Sequence, residues 1–331
     1  MPSVLAAKRL ATAKGIIMAS EAGDVERIKD IVKENIRWQD ASKWISLLDK
    51  KGRTPLHLAA MNGHLILMKY ILNELFEAVL DNALRKQYID LKDRKGRTPL
   101  FYAAAHGKVF VVRFLGERGV ELDSATNETH AAPGSTAIMA SAENGYTACF
   151  DYLLFKGSHL LAQRTDGADA FYLAAMNGNL DIIRSIVNTD LIRIICHDIV
   201  DKPTFRGRTA LMTAAFHGHL GVIKILFNKG ANINHKDKDN FTPLILASYE
   251  GHLKVVKWLL RNGAHLLNTD KFGDTAEESA EICGHSEVAS FLNKWRDVNS
   301  NPELRKESVV YTPKIFKSML LAKSKILANY R

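Results

Sequence analysis

Gly52-Arg53-Thr54-Pro55-Leu56-His57-Leu58-Ala59-Ala60-Met61-Asn62-Gly63-His64 contains a complete local folding instruction. Thr54 can cap a helix N-terminus, and Pro55 at the first helical position loses nothing by lacking an N–H. Leu56 is then the first buried contact. Ala59 and Ala60 are small enough for a neighbouring helix to approach closely, and Gly63 supplies the left-handed backbone that ends a helix of about two turns. A second helix follows each such stretch. In Leu253-Lys254-Val255-Val256-Lys257-Trp258-Leu259-Leu260 the apolar positions recur at helical spacing, and Gly263-Ala264 stops the helix.

The same register recurs along the chain. A turn residue and a glycine stand eleven positions apart at Gly52/Gly63, Gly96/Gly107, Gly134/Gly145, Gly167/Gly178, Gly207/Gly218, Asn240/Gly251 and Gly273/Gly284. Successive leading positions are spaced by 44, 38, 33, 40, 33 and 33 residues, so the basic period is 33. An earlier copy is legible in Ile16 to Val25, which puts the start of the array near residue 14. A period of this size marks stacked supersecondary units, none of which can bury its apolar face alone.

The chain resembles the ankyrin repeat. The T-P-L-H-x-A signature is intact at Thr54 to Ala59 and partly kept at Thr98-Pro99-Leu100, Thr209-Ala210-Leu211 and Thr242-Pro243-Leu244. The expected fold is an all-α solenoid of stacked helix-loop-helix units with β-hairpin-like turns, spanning residues 14–296. A basic extension over 1–13 precedes it, and a linker over 297–313 leads to a C-terminal amphipathic helix over 314–331. The copies at Gly134 and Gly167 lack the proline, so less regularity is expected there. Extra residues around Leu75 to Tyr88 read as a lengthened or added helix, and Glu121 to Pro133 as a long polar loop. Glu277 stands where a buried leucine is usual, which marks the last full copy as a polar cap.

Composition removes several function classes. Of 331 residues, 47% are hydrophobic and 24% charged, a globular balance. No apolar run reaches the length of a membrane-spanning helix. Cys149, Cys196 and Cys283 lie far apart, which excludes a disulfide framework and fits a reducing compartment. There is no phosphate-binding loop, nucleophile elbow, zinc-protease motif or kinase signature, so no catalytic role, cofactor or metal is expected. Cys196-His197-Asp198 cannot converge, because consecutive helical residues point about 100° apart. Asp237-Lys238-Asp239 opens like a calcium loop but has Thr242 and Ser248 where glycine and glutamate are needed, and reads as a solvated turn. The resemblance implies that His57, His64, His219, His252 and His285 hold neighbouring turns by hydrogen bonds. Nucleic acid is disfavoured as a partner, since only the net charge of +9 speaks for it.

In similar proteins the hairpin tips and inner helix face grip a partner. Carried over by position, the candidates are Lys50, Lys51, Arg53, Arg94, Lys95 and Arg97, all basic, and then Phe205, Arg206, Arg208, Phe216, Phe241, Tyr249 and Phe272, mostly aromatic. Aromatic and arginine side chains are the types that dominate binding energy at interfaces. The tail offers a second surface, with Ile315, Phe316, Met319, Leu320 and Leu327 on its apolar side and Lys314, Lys317, Lys323, Lys325 and Arg331 unopposed by acids. The expected function is a non-enzymatic, cytoplasmic adaptor that binds an acidic and apolar protein segment on its concave face. The alternative is a structural subunit built into a cytoskeletal or axonemal assembly, with acidic tubulin as the matching surface; mitochondrial import is a minor further possibility, from Lys8, Arg9 and Lys14 ahead of the first acid.

Overall fold

The computed structural model describes residues 2–34, 42–76, 82–188 and 199–299. Every regular element among them is helical. The chain divides into two compact units, residues 1–189 and 190–331.

The first unit opens with α1 (Pro2–Ala22) and α2 (Val25–Glu34), followed by the short α3 (Ser42–Ile45). Helices α4 (Pro55–Asn62) and α5 (Leu65–Lys69) form the first full repeat, and α5 runs into a π-helical segment, Tyr70–Leu75. After α6 (Asn82–Ile89) come the pairs α7 (Pro99–Ala105) with α8 (Val109–Gly116), α9 (Ala137–Glu143) with α10 (Thr147–Phe155), and α11 (Ala170–Met176) with α12 (Leu180–Asn188). The first helices of the repeats stack in the order α1, α4, α7, α9, α11, while α5, α8, α10 and α12 pack in parallel behind them. The second unit repeats the plan with α13 (Ala210–Phe216), α14 (Leu220–Asn228), α15 (Pro243–Tyr249), α16 (Leu253–Arg261), α17 (Ala276–Ile282) and α18 (Ser286–Asn299). The extension expected over 1–13 is helical from Pro2 and continuous with the first repeat.

The caps form as the side chains dictate. The hydroxyl oxygens of Thr54, Thr98, Thr209 and Thr242 accept hydrogen bonds from the backbone N–H groups of His57, Phe101, Met212 and Ile245 at 3.2 to 3.4 Å. In the proline-less repeat at Gly167 Asp169 is the cap, accepting from Tyr172 N–H at 3.0 Å, whereas the helix at Ala137 starts without a side-chain cap from Thr136. The alanine pairs Ala59-Ala60, Ala103-Ala104, Ala174-Ala175 and Ala214-Ala215 are wholly buried, consistent with close stacking of the first helices.

The insertion before Tyr88 is built around three buried aromatic rings. Phe76 meets Tyr88 edge-on at 4.7 Å and Trp44 at 6.2 Å between centroids, and none of the three is exposed. Phe76 reaches that position through a π-helical bond, its N–H donating to Ile71 O at 3.1 Å. Glu121 to Pro133, expected as a long polar loop, is tied down as a tip: Asn127 N–H donates to Lys95 O, and Thr126 N–H to Ser135 O. The polar cap is present, with Glu277 8% exposed and held by Asn293 Nδ2 at 3.0 Å and Arg296 Nη1 at 2.7 Å. The tail helix expected over 314–331 and Cys196-His197-Asp198 lie outside the described residues.

Gly107 shows how little slack the stack contains. Its φ is +67°, and a Cβ there would sit 2.5 Å from the Tyr146 ring of the next repeat. Gly107→Ala is expected to lower stability by about 2 kcal/mol, from the left-handed backbone and the clash together. Adding Tyr146→Ala should recover the clash part only, a non-additivity that urea denaturation of the single and double variants would detect.

Candidate partner-binding surface

Four of the tips are organised by a carboxylate whose role sequence reading passed over. Asp49, Asp93, Asp237 and Asp270 stand three residues ahead of Gly52, Gly96, Asn240 and Gly273. The Asp49 Oδ1 accepts from the N–H groups of Lys51 and Arg53, both at 2.8 Å, and Asp93 Oδ1 accepts from Lys95 and Arg97, both at 2.9 Å. Asp237 and Asp270 repeat the pattern toward Asp239 and Phe241 and toward Phe272 and Asp274. The acid-to-glycine spacing was visible in the sequence as D-x-x-[G/N], the signature of an aspartate turn. It also settles Asp237-Lys238-Asp239 as such a turn, with Asp237 buried.

Backbone bonds join one tip to the next. Arg94 N–H donates to Lys51 O at 3.2 Å, and Asn127 N–H to Lys95 O at 3.1 Å. In the second unit Lys238 N–H donates to Arg206 O at 3.1 Å, and Lys271 N–H to Asp239 O at 2.9 Å. One bond per junction gives the hairpin-like turns a fixed spacing without forming a sheet. Asn127 and Thr129 add side-chain bonds to Arg94 O, both at 2.9 Å, so this Asn-Glu-Thr stretch serves the tip.

The expected binding residues fall into two groups. Lys50, Lys51, Arg94, Lys95, Phe205 and Arg206 are exposed, Phe205 at 59%, while Tyr249 and Phe272 are partly so. Arg53 and Arg97 are corrected: each turns back onto its own tip, with Arg53 Nε 2.7 Å from Asp49 Oδ2 and Arg97 Nη2 2.7 Å from Asp93 Oδ2. Arg208 is 3% exposed and lies 3.4 Å from Asp237, so it is a buried ion-pair residue. Phe216 and Phe241, at 2% and 0% exposure, belong to the core and cannot be surface anchors. Phe241 follows the tip residue just as Arg53 does, and its N–H is held by Asp237 as that of Arg53 is by Asp49, but its ring is buried in the stack. Ile315, Phe316, Met319, Leu320 and Leu327 lie outside the described residues.

His57 binds two repeats together. Thr54 N–H donates to its Nδ1 at 3.1 Å, so Nδ1 is the unprotonated nitrogen, and Nε2–H donates to Arg97 O at 3.0 Å. Burial, opposed in part by the Arg97 carbonyl and the charge of Asp93, holds the imidazole pKa down to about 4. His64 and His252 also join neighbouring repeats, their Nε2 atoms lying 3.0 Å from Glu21 O and 2.8 Å from Phe216 O. The carboxyl groups of Asp49 and Asp93 are disfavoured by burial, but the hydrogen bonds and charges of Arg53 and Arg97, helped at Asp93 by the Tyr102 hydroxyl at 2.9 Å, more than offset it and leave both below the usual carboxylate value.

A family model described as ankyrin repeats in three copies matches residues 16–126, 74–164, 138–237, 171–270 and 234–302. The chain belongs to the ankyrin-repeat family. Among relatives of this ankyrin-repeat chain, the ankyrin repeat and KH domain-containing protein mask-1 of Caenorhabditis elegans is 30% identical over 152 residues, 39% of this chain and 6% of that protein. Alpha-latrocrustotoxin-Lt1a of Latrodectus tredecimguttatus is 27% identical over 133 residues, 40% of this chain and 9% of the toxin. Palmitoyltransferase AKR1 of Lachancea kluyveri is 29% identical over 133 residues, again 40% of this chain and 17% of that enzyme. The chain thus spans under a fifth of each of these relatives. Ankyrin repeats imply protein–protein interaction. Among the described residues no helix is long and apolar enough to cross a membrane.

The folded chain resists protonating His57 until about pH 4, whereas the unfolded chain takes the proton near 6.5. The corresponding stability is complete above pH 6.5 and lost as pH falls toward 4, up to about 3 kcal/mol. In His57→Gln, denaturant titrations across this window should lose that part of the slope. Asp93→Ala, which strands Arg97, should cost about 3 kcal/mol at neutral pH, against less than about 0.5 kcal/mol for Lys51→Ala.

Proposed function

We propose that this ankyrin-repeat protein is a non-enzymatic adaptor that holds an acidic, partly apolar segment of another protein along its repeat tips. One observation carries the reading. Lys50, Lys51, Arg94 and Lys95 are exposed on two tips that a backbone hydrogen bond joins, and among the described residues none of their side chains has an acid partner. Four like charges held in a row repel one another, and an acidic partner removes that cost. The neighbouring cations Arg53 and Arg97 are already neutralised by Asp49 and Asp93, which separates cations that build the tip from cations left for binding.

In the second unit the tip at Phe205 and Arg206 adds an exposed ring beside a cation, suited to an apolar residue flanked by acids. Because the tips are tied backbone to backbone, the receptor side loses little conformational freedom on binding. Cys149 is a buried free thiol, in keeping with a cytoplasmic setting.

The test uses a fluorescent peptide of alternating glutamate and leucine. Lys51→Glu, Arg94→Glu and Lys95→Glu together should weaken binding by at least about tenfold and flatten its salt dependence, while Lys69→Glu on α5 leaves both unchanged. Equal affinity of the triple variant and the unsubstituted chain would overturn the reading. Retention on a large assembly such as microtubules through a high-salt wash would favour the built-in structural subunit instead.

A further inference from the structure

The end of the second unit contains an unfilled seat. At five earlier junctions, those at Gly63, Gly107, Gly145, Gly218 and Gly251, a side chain from the next repeat lies against the glycine that closes the first helix. A Cβ on Gly218 would lie 2.7 Å from His252, and one on Gly251 would lie 2.5 Å from His285. In the first unit Lys108, Tyr146 and Asn179 cover Gly63, Gly107 and Gly145 in the same way. These seats also take hydrogen bonds: His252 Nε2 reaches Phe216 O, and Asn179 Nδ2 reaches Glu143 O, in each case the carbonyl two residues before the glycine. Among the described residues nothing lies within 4 Å of a Cβ on Gly284. What lies there is a cleft of about 460 Å³ lined by Glu281, Gly284, Ser286, Ser290, Asn293 and Lys294.

Charge and chain length narrow the occupant. Helix α17 carries Glu277, Glu278 and Glu281 and no base, and Glu287 follows at the start of α18; Glu281 and Glu287 are exposed. Glu277 is already engaged by Asn293 and Arg296, so the exposed pair, with Lys294 as the one base lining the cleft, sets the charge a newcomer meets. Beyond α18 the sequence supplies Lys314, Lys317, Lys323, Lys325 and Arg331 with no acid among residues 314–331. The intervening residues 300–313 can span up to about 45 Å when extended, whereas the whole of α18 is about 21 Å long. Return to Gly284, just ahead of Ser286, is therefore within reach.

We propose that the basic amphipathic segment 314–331 folds back onto the α17–α18 end of the second unit and fills the seat at Gly284. Its cations face Glu281 and Glu287, and its apolar side, Ile315, Phe316, Met319 and Leu320, covers the face that a further repeat would otherwise bury. This makes the segment the C-terminal cap of the array, and it is independent of what the tips bind.

Carbodiimide treatment of the full chain, mixed from isotope-labelled and unlabelled preparations at low concentration, tests this by mass spectrometry. The expected result is amide links from Glu281 or Glu287 to lysines of 314–325 within single-label chains. Mixed-label links alone would mean that a second copy fills the seat, and no links would mean that the segment does not; either overturns the proposal. As an independent measure, Leu320→Asp in the full chain should raise hydrogen exchange across residues 276–299 at least fivefold, and unchanged exchange counts against the cap.

Discussion

Close approach of neighbouring first helices is the constraint from which the remainder of each unit follows. It depends on buried alanine pairs such as Ala103-Ala104 and Ala214-Ala215, which leave no side chain to hold the backbones apart. With the helices that close, the tips ahead of them fall into hydrogen-bonding register, as Arg94 N–H onto Lys51 O shows. The same spacing lets His57 reach the Arg97 carbonyl of the next repeat. Stability is shared between neighbours in this arrangement and not owned by any one repeat.

The tip carboxylates give the surface its electrostatic logic. An acid that accepts two backbone N–H groups and also pairs with an arginine is at once a turn former and a counterion. At Asp93 the Arg97 guanidinium, the Tyr102 hydroxyl and two N–H groups converge on one side chain that is itself wholly buried. Among the described residues, Lys50, Lys51, Arg94 and Lys95 on the same tips have no such partner and face solvent. Net charge alone could not have separated the two populations, because that separation depends on where each side chain turns.

Much of the architecture was legible because it is written in local chemistry that repeats. Thr54-Pro55 and Gly63 fix a helix start and stop from neighbouring residues alone, and the eleven-residue register carries that knowledge along the chain. The binding surface was legible only in part. Phe216 and Phe241 occupy positions that are partly exposed in several other copies, as at Met61 and Arg53, and only the packed structure reveals that their rings turn inward. Arg53 and Arg97 misled for the opposite reason: they are polar residues whose partners, Asp49 and Asp93, lie four residues earlier within a turn, outside the helices where pairs at that spacing are expected. Asp169 in place of the usual threonine was readable in principle, since both residues cap helices, yet the missing proline drew attention away from it.

The π-helical segment at Tyr70–Leu75 has a bearing on how the insertion is accommodated. A bond from Phe76 N–H to Ile71 O holds one residue more per turn than an α-helix would, and one residue is worth about 100° of rotation. The segment therefore acts as a phase shifter: α5 keeps the angular setting its repeat demands, while Phe76 is turned to the setting that its contacts with the Trp44 and Tyr88 rings demand. Two angular settings that would otherwise conflict are reconciled within a single turn of helix.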